Sequence, residues 1–280
     1  HLFTNNMKLI SELCQNHNGD IDLLRTMIYD SALNGADICK IQSIKADSLT
    51  RRDEYESFRK YDMEYKRFKE LELSYDDEKL FIEICNKNKI IPMTTIFSIN
   101  DYDYYNSLEY DYLKLSGYSM ESFDYGSKLD KFNFKHLVFS TSSLTLDEIK
   151  KCIQNLSGTN FTILHCICVY PTPLDRSNLF NIHYLKQLHN DVGLSDHSSP
   201  MDTDLQISKQ AIFQGISMLE RHFRITDVED TRDGKVSITP DMLCELKRFS
   251  KLSNDEQFEE LNTFDDKQEF NHKYYRGRFK

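Results

Sequence analysis

No apolar run in this 280-residue chain approaches the roughly 20 residues of a membrane-spanning helix, so a helical membrane protein is excluded. No Cys-x-x-Cys pair joins its seven cysteines, and their number is odd. In a chain of this length that pattern indicates reduced thiols and a cytoplasmic location rather than a disulfide framework. Basic charge is also short, with 35 basic against 45 acidic residues and a net charge of -10. Such a surface repels phosphate backbones and argues against general nucleic-acid binding, but not against a small anion held by a few local lysines. No signal peptide is legible, and the start at His1 rather than Met suggests a piece of a longer polypeptide. Internal repeats and low-complexity tracts are lacking too.

What is there is a series of short apolar or β-branched runs. They fall at 8–14, 38–44, 90–97, 112–117, 137–142, 161–170, 192–198 and 217–223. Helix-like stretches separate them, at 20–35, 74–88, 143–156 and 201–215. Ser74 is the expected N-cap of the second, with acids in its first turn. Strands alternating with helices imply parallel βαβ units, and eight such units predict an α/β fold, a (β/α)8 TIM barrel. An open dinucleotide-binding sheet is the competing architecture. It would carry Gly-x-Gly-x-x-Gly after an early strand, and this chain has none. The barrel is expected over residues 1–250. A polar C-terminal helix or tail follows over 251–280, closing on the basic and aromatic NHKYYRGRFK.

In such a barrel the site lies at the C-terminal ends of the strands, where side chains alternate with a period of two. Reading each run's end at that spacing gives Glu12 and Cys14, with His17 beyond, then Lys40 and Gln42, Thr95, and Lys114 and Ser116. The later runs give Ser140 and Ser142, Cys168 and Tyr170, Ser195 and His197, and Glu220 and His222. Two lysines and several hydroxyls suit a carboxylate plus a phosphate. His197 and His222 end neighbouring strands, close enough to share one divalent metal; hydrogen-bonded core histidines are the bland alternative. Cys166 and Cys168 read as small buried core residues, and His165 as a core histidine.

The stretches ISELCQNHNGD, ICKIQSIKADSL, LELSYDDEKLF, IPMTTIFS, YLKLSG, LHCICVYPTP, GLSDHS and ERHF together resemble the sialic acid synthase (N-acetylneuraminate synthase) family, from about Ile10 to Asp241. The resemblance implies a metal-dependent barrel that condenses phosphoenolpyruvate with an open-chain aldose or N-acetylated amino sugar to a 2-keto-3-deoxy acid. It implies that His197 and His222 bind Mn2+ or Mg2+, and that Lys40, Thr95, Lys114, Ser116, Ser140 and Ser195 hold phosphoenolpyruvate. Gln42 and Tyr170 would contact the sugar, with Glu12 and Asp233 at the reacting centre beside the two histidines. The chain departs from the family pattern at Gly117, where a phosphate-binding Ser is usual. Ser119 replaces an acid, Cys168 an Asn- or Ser-like residue, and Ser142 a Gly. The family's C-terminal antifreeze-like domain, which supplies an Arg to a partner's sugar site, is not expected here. A longer polypeptide, or a homodimer whose neighbour covers the site, is the expectation, with Arg276 and Arg278 of the tail the candidates to take that role. A Schiff-base lyase using Lys40 or Lys114, and a non-catalytic binding barrel of a larger protein, are the competing functions.

Overall fold

The computed structural model describes residues 7–262 and 266–278; residues 1–6, 263–265 and 279–280 of the expected barrel and tail lie outside it. In chain order the elements are β1 (Lys8–Cys14), α1 (Ile21–Leu33), β2 (Ile38–Gln42), α2 (Asp53–Glu56), α3 (Tyr61–Leu71) and α4 (Tyr75–Lys87). Next come β3 (Ile91–Ile96), α5 (Tyr102–Ser107), β4 (Tyr112–Leu115), β5 (His136–Ser140), α6 (Leu146–Asn155), β6 (Phe161–Cys166) and α7 (Phe180–Leu188). The chain continues through β7 (Val192–Asp196), α8 (Pro200–Thr203), α9 (Gln206–Phe213) and β8 (Met218–His222) to α10 (Pro240–Ser250), α11 (Asn254–Leu261) and α12 (Asp266–Tyr275). The eight strands are parallel and close in sequence order, β8 pairing back onto β1. This is the (β/α)8 barrel.

Alternation along each strand sorts side chains into two sets. Outward residues such as Leu9, Leu13, Ile41 and Leu113 pack under the helices in the main core. Inward residues form a separate apolar floor of Ile10, Ile38, Met93, Val138, Leu164 and Met218. Two residues further along each strand the inward positions turn polar, so the floor supports a polar mouth. Gly193 lets β7 approach closely at floor level: a Cβ there would meet the Met218 carbonyl at 2.3 Å and Leu164 at 2.6 Å.

Helix starts follow local chemistry. Ser74 caps α4 as expected, in a reciprocal box with Asp77, and Thr145 does the same for α6 with Glu148. The stretch expected as one helix over 201–215 is two, α8 and α9. Asp204 and Leu205 both adopt left-handed backbone conformations, and Leu205 is carried into the core. α3 has no buried residue, so no apolar periodicity announced it. Beyond α10, α11 is tied down by Glu260, which pairs with Lys209 at 2.8 Å and Arg248 at 2.7 Å. Side chains over 268–278 are exposed, and Arg276, just past α12, meets His272 of that helix at 3.4 Å. Among the described residues no helix is long and apolar enough to cross a membrane.

Candidate active site

Strand register builds the mouth as a ring. Glu12 lies level with Lys40 and with His222, Thr95 with Lys114, Cys166 with Ser195, and Ser195 with Glu220. The four charged groups of this ring are all buried: Glu12 1%, Lys40 2%, Lys114 3% and Glu220 3% exposed. Burial of this depth is tolerated because they pair with one another. Lys114 Nζ sits 2.8 and 3.1 Å from the two Glu220 oxygens. Lys40 forms an ion pair with Glu12, lies 3.6 Å from Glu220 and donates to Thr95 Oγ1 at 2.8 Å. Ser195 donates to Glu220 at 2.7 Å.

Burial, opposed by Glu220 and reinforced by Lys114, brings the Lys40 ammonium down to about 7. Burial also works against the Glu220 carboxylate, but Lys114 and Lys40 outweigh it and hold the group well below the usual carboxylate range. The sequence placed Glu220 at the end of the eighth run, two residues before His222, but gave it no role; the structure makes it the partner of both lysines.

Beside this network lies a second cluster. One donor atom each from Cys14, His222 and Asp233 falls within 4.8 Å of the others. The loop carrying Asp233 is held there by Asn16. That buried amide donates to the Phe223 carbonyl at 2.9 Å and to Ser237 Oγ at 3.0 Å, while the Asp233 N–H meets its oxygen at 3.4 Å. His197 stands against His222 with ring centroids 5.1 Å apart. Burial, with help from His222, lowers the His197 imidazole to about 3, so it is neutral. Its Nε2 is 3.0 Å from the Tyr170 hydroxyl and its Nδ1 3.3 Å from the Ile167 carbonyl. His222 Nδ1 is buried and has no hydrogen-bond partner among the described residues; Asp233 Oδ2 is 3.5 Å away. An unpartnered imidazole nitrogen facing a carboxylate and a thiol fits a divalent cation.

The remaining expected residues divide. Ser140 is buried in the ring, 3.2 Å from Ser142 Oγ and accepting the Gly117 N–H at 3.2 Å. Gln42 is half-buried at the end of β2. Tyr170 is 49% exposed and faces the mouth through His197. It also lines a cavity of about 330 Å3 with Arg232, Asp233 and Lys235. Ser116 is half-buried just past β4, and its carbonyl accepts from Ser119 at 2.8 Å; it makes no bond to the lysine network among the described residues. Cys168 is corrected: β6 ends at Cys166, so Cys168 falls in an exposed loop. The inward residue is Cys166, whose Sγ lies 3.7 Å from His197 Nδ1. The glycine at 117 has a steric cause. A Cβ there would lie 2.0 Å from the Ser142 carbonyl oxygen and 2.7 Å from that of Ser140, so the segment after β4 runs too close to the end of β5 and the residues beyond it for serine.

A parallel barrel with paired lysines and hydroxyls at the C-terminal ends of its strands, next to an imidazole–carboxylate–thiol cluster, has the layout of a barrel enzyme's active end. The chain belongs to the NeuB family, whose model matches residues 27–257. Its family is one of synthases that form a carbon–carbon bond with phosphoenolpyruvate. The chain is 29% identical over 263 residues to an N,N'-diacetyllegionaminic acid synthase of Campylobacter jejuni, covering 88% of this chain and 77% of that one. It is 28% identical over 255 residues to the mouse N-acetylneuraminate-9-phosphate synthase, covering 87% and 69%. Its fold matches the crystal structure of a sialic acid synthetase from Leptospira borgpetersenii with a TM-score of 0.79 at 22% identity, over 99% of this chain and 94% of that one.

Proposed function

We propose that this chain condenses phosphoenolpyruvate with an open-chain sugar aldehyde, an aldose or an N-acetylated amino sugar, and releases a 2-keto-3-deoxy acid and phosphate. The observation that carries the reading is the adjacency of two buried lysines to the neutral His197 and the His222–Asp233 pair at one barrel end. Lys40 and Lys114 take the carboxylate and phosphate, trading their ion pairs with Glu12 and Glu220 for the substrate's charges. Thr95, Ser140 and Ser195 add hydroxyl donors, and Ser116 stands at the rim of this subsite. Gln42 and Tyr170 receive the sugar chain.

A divalent metal held by His222, with His197 and Asp233 beside it, would polarise the aldehyde oxygen as a Lewis acid. The methylene carbon of phosphoenolpyruvate forms the new bond to the aldehyde carbon as the aldehyde's C=O π bond breaks, and the aldehyde oxygen takes up a proton to become the new hydroxyl. Water adds to the electron-poor enol carbon, with the Glu12 carboxylate placed to accept its proton. The carbon–oxygen bond to phosphate then breaks, so phosphate leaves with its bridging oxygen. The buried lysines stabilise negative charge throughout.

Incubation with phosphoenolpyruvate and a panel of aldoses and N-acetylated amino sugars, with and without Mn2+, tests the reading through phosphate release. Sugar-dependent release supports it. Phosphoenolpyruvate binding with no release from any aldehyde would instead support a non-catalytic binding barrel.

A further inference from the structure

We propose that Cys14 is a thiolate ligand of the metal, joining His222 and Asp233, and that this donor set selects a borderline ion such as Zn2+, Fe2+ or Co2+ over Mg2+. The inference rests on the metal-dependent reading above and names a ligand that neither the histidine pair nor the family resemblance supplies. Two ligands of one tetrahedral ion, at about 2.0 to 2.3 Å each, lie about 3.3 to 3.8 Å apart. The three donor atoms, all within 4.8 Å of one another, need to close by up to about an ångström to reach that spacing.

His222 is only 6% exposed, yet its Nδ1 has no hydrogen-bond partner among the described residues. The 3.5 Å to Asp233 is too long for a good hydrogen bond and suits two groups sharing a cation. Cys14 is 1% exposed and is aimed by its own backbone. The β1–β2 register shifts between Glu12 and Cys14, and Cys14 takes φ 41°. Bulges of this kind re-aim side chains beside active sites.

The other fully buried cysteines, Cys39, Cys85 and Cys152, lie among apolar side chains in the outer core. Cys14 faces the Asp233 carboxylate, which accepts a hydrogen bond from its thiol; a cation would take the place of that proton and unite the carboxylate with a thiolate. His197 Nε2 faces Tyr170, so it becomes a fourth donor only when that hydroxyl releases it. Thiolate is a soft donor, whereas Mg2+ favours an all-oxygen octahedron. The set therefore moves the expected metal away from Mg2+.

The test uses the full chain stripped with chelator and titrated with Co2+, followed by near-ultraviolet thiolate-to-cobalt absorption and by metal content after dialysis. The parent is expected to bind one Co2+ with the thiolate band, and to retain Zn2+ over Mg2+ from an equimolar mixture. Cys14→Ser should lose the band and weaken Co2+ binding by about tenfold or more. If that variant misfolds, X-ray absorption of the Zn2+-loaded parent replaces it: a sulfur neighbour at about 2.3 Å from the metal is expected. Co2+ binding without the band, or a zinc shell of nitrogen and oxygen alone, overturns the thiolate and leaves the histidine-based metal reading standing. Absence of stoichiometric binding in the parent overturns both.

Discussion

Glu220→Gln removes one negative charge from a buried network and leaves the side-chain shape in place. In the parent, Glu220 contacts Lys114 through both oxygens at 2.8 and 3.1 Å, Lys40 at 3.6 Å and Ser195 at 2.7 Å. Glutamine keeps one acceptor for Ser195 or Lys114 but leaves two buried ammonium groups facing the single carboxylate of Glu12. Breaking a buried pair costs about 3–5 kcal/mol, and the retained acceptor argues for the low end, about 3. For a domain of this size each kcal/mol moves Tm by about 2–4 °C, so Tm should fall by about 6–12 °C at pH 7. Because the Glu220 carboxyl is held below its ordinary range in the fold, its contribution is fully present above the unfolded value of about 4.3. That contribution is lost as pH falls below it, so the gap between parent and variant should narrow in acid. Phosphoenolpyruvate supplies the missing negative charge and should raise the Tm of the variant more than that of the parent, read by scanning calorimetry. A variant within 2 °C (roughly one kcal/mol or less) of the parent at pH 7, with equal ligand shifts, would refute this account of the lysine pair.

Three further outcomes follow from the same geometry. With Lys40 at about 7, phosphoenolpyruvate affinity measured by calorimetry should weaken as pH rises above 7, and Lys40→Arg should flatten the profile because a guanidinium stays charged; an equally flat parent profile would contradict it. Gly117→Ala should cost about 1–3 kcal/mol in urea unfolding, since its Cβ would meet the Ser142 carbonyl at 2.0 Å. Borohydride added with pyruvate should leave no adduct on Lys40 or Lys114 by mass spectrometry, and a stable adduct on either would favour the Schiff-base lyase.

Much of the barrel was legible because its strands are short, apolar and period-two, and because caps such as Ser74 are local features. Strand ends were less so. The run at 161–170 reads as one strand, yet pairing stops at Cys166, because polar residues at a strand's end and in the loop beyond look alike in sequence. Counting two by two past that end put Cys168 and Tyr170 on the barrel wall, where the structure has Cys166. The lysine ring was visible as residue types, and Glu220 as a strand-end acid, but its pairing with both lysines needed the register that sets it level with Ser195. The grouping of Cys14 with Asp233 depends on Asn16 bonding across 207 residues, which no local pattern encodes.

The two clusters of the mouth differ in how their charges are met, and that difference separates their roles. In the ring, every ammonium already faces a carboxylate, so an entering trianion changes partners rather than finding bare charge. Such a site stays stable when empty and binds through exchange, with the paired carboxylates holding each lysine in position. In the Cys14–His222–Asp233 cluster an imidazole nitrogen remains unmatched and two of the donors are acidic, so stability there rises when a cation arrives. β1 joins the two: Glu12 serves the lysine ring and Cys14 the cation cluster, and the backbone N–H of Cys14 donates to Glu12 at 2.6 Å. A shift of Cys14 towards a cation would therefore move a donor on the carboxylate that pairs with Lys40. Cation loading and phosphoenolpyruvate binding should be coupled through this one bulge, with each raising the affinity of the other by the same factor.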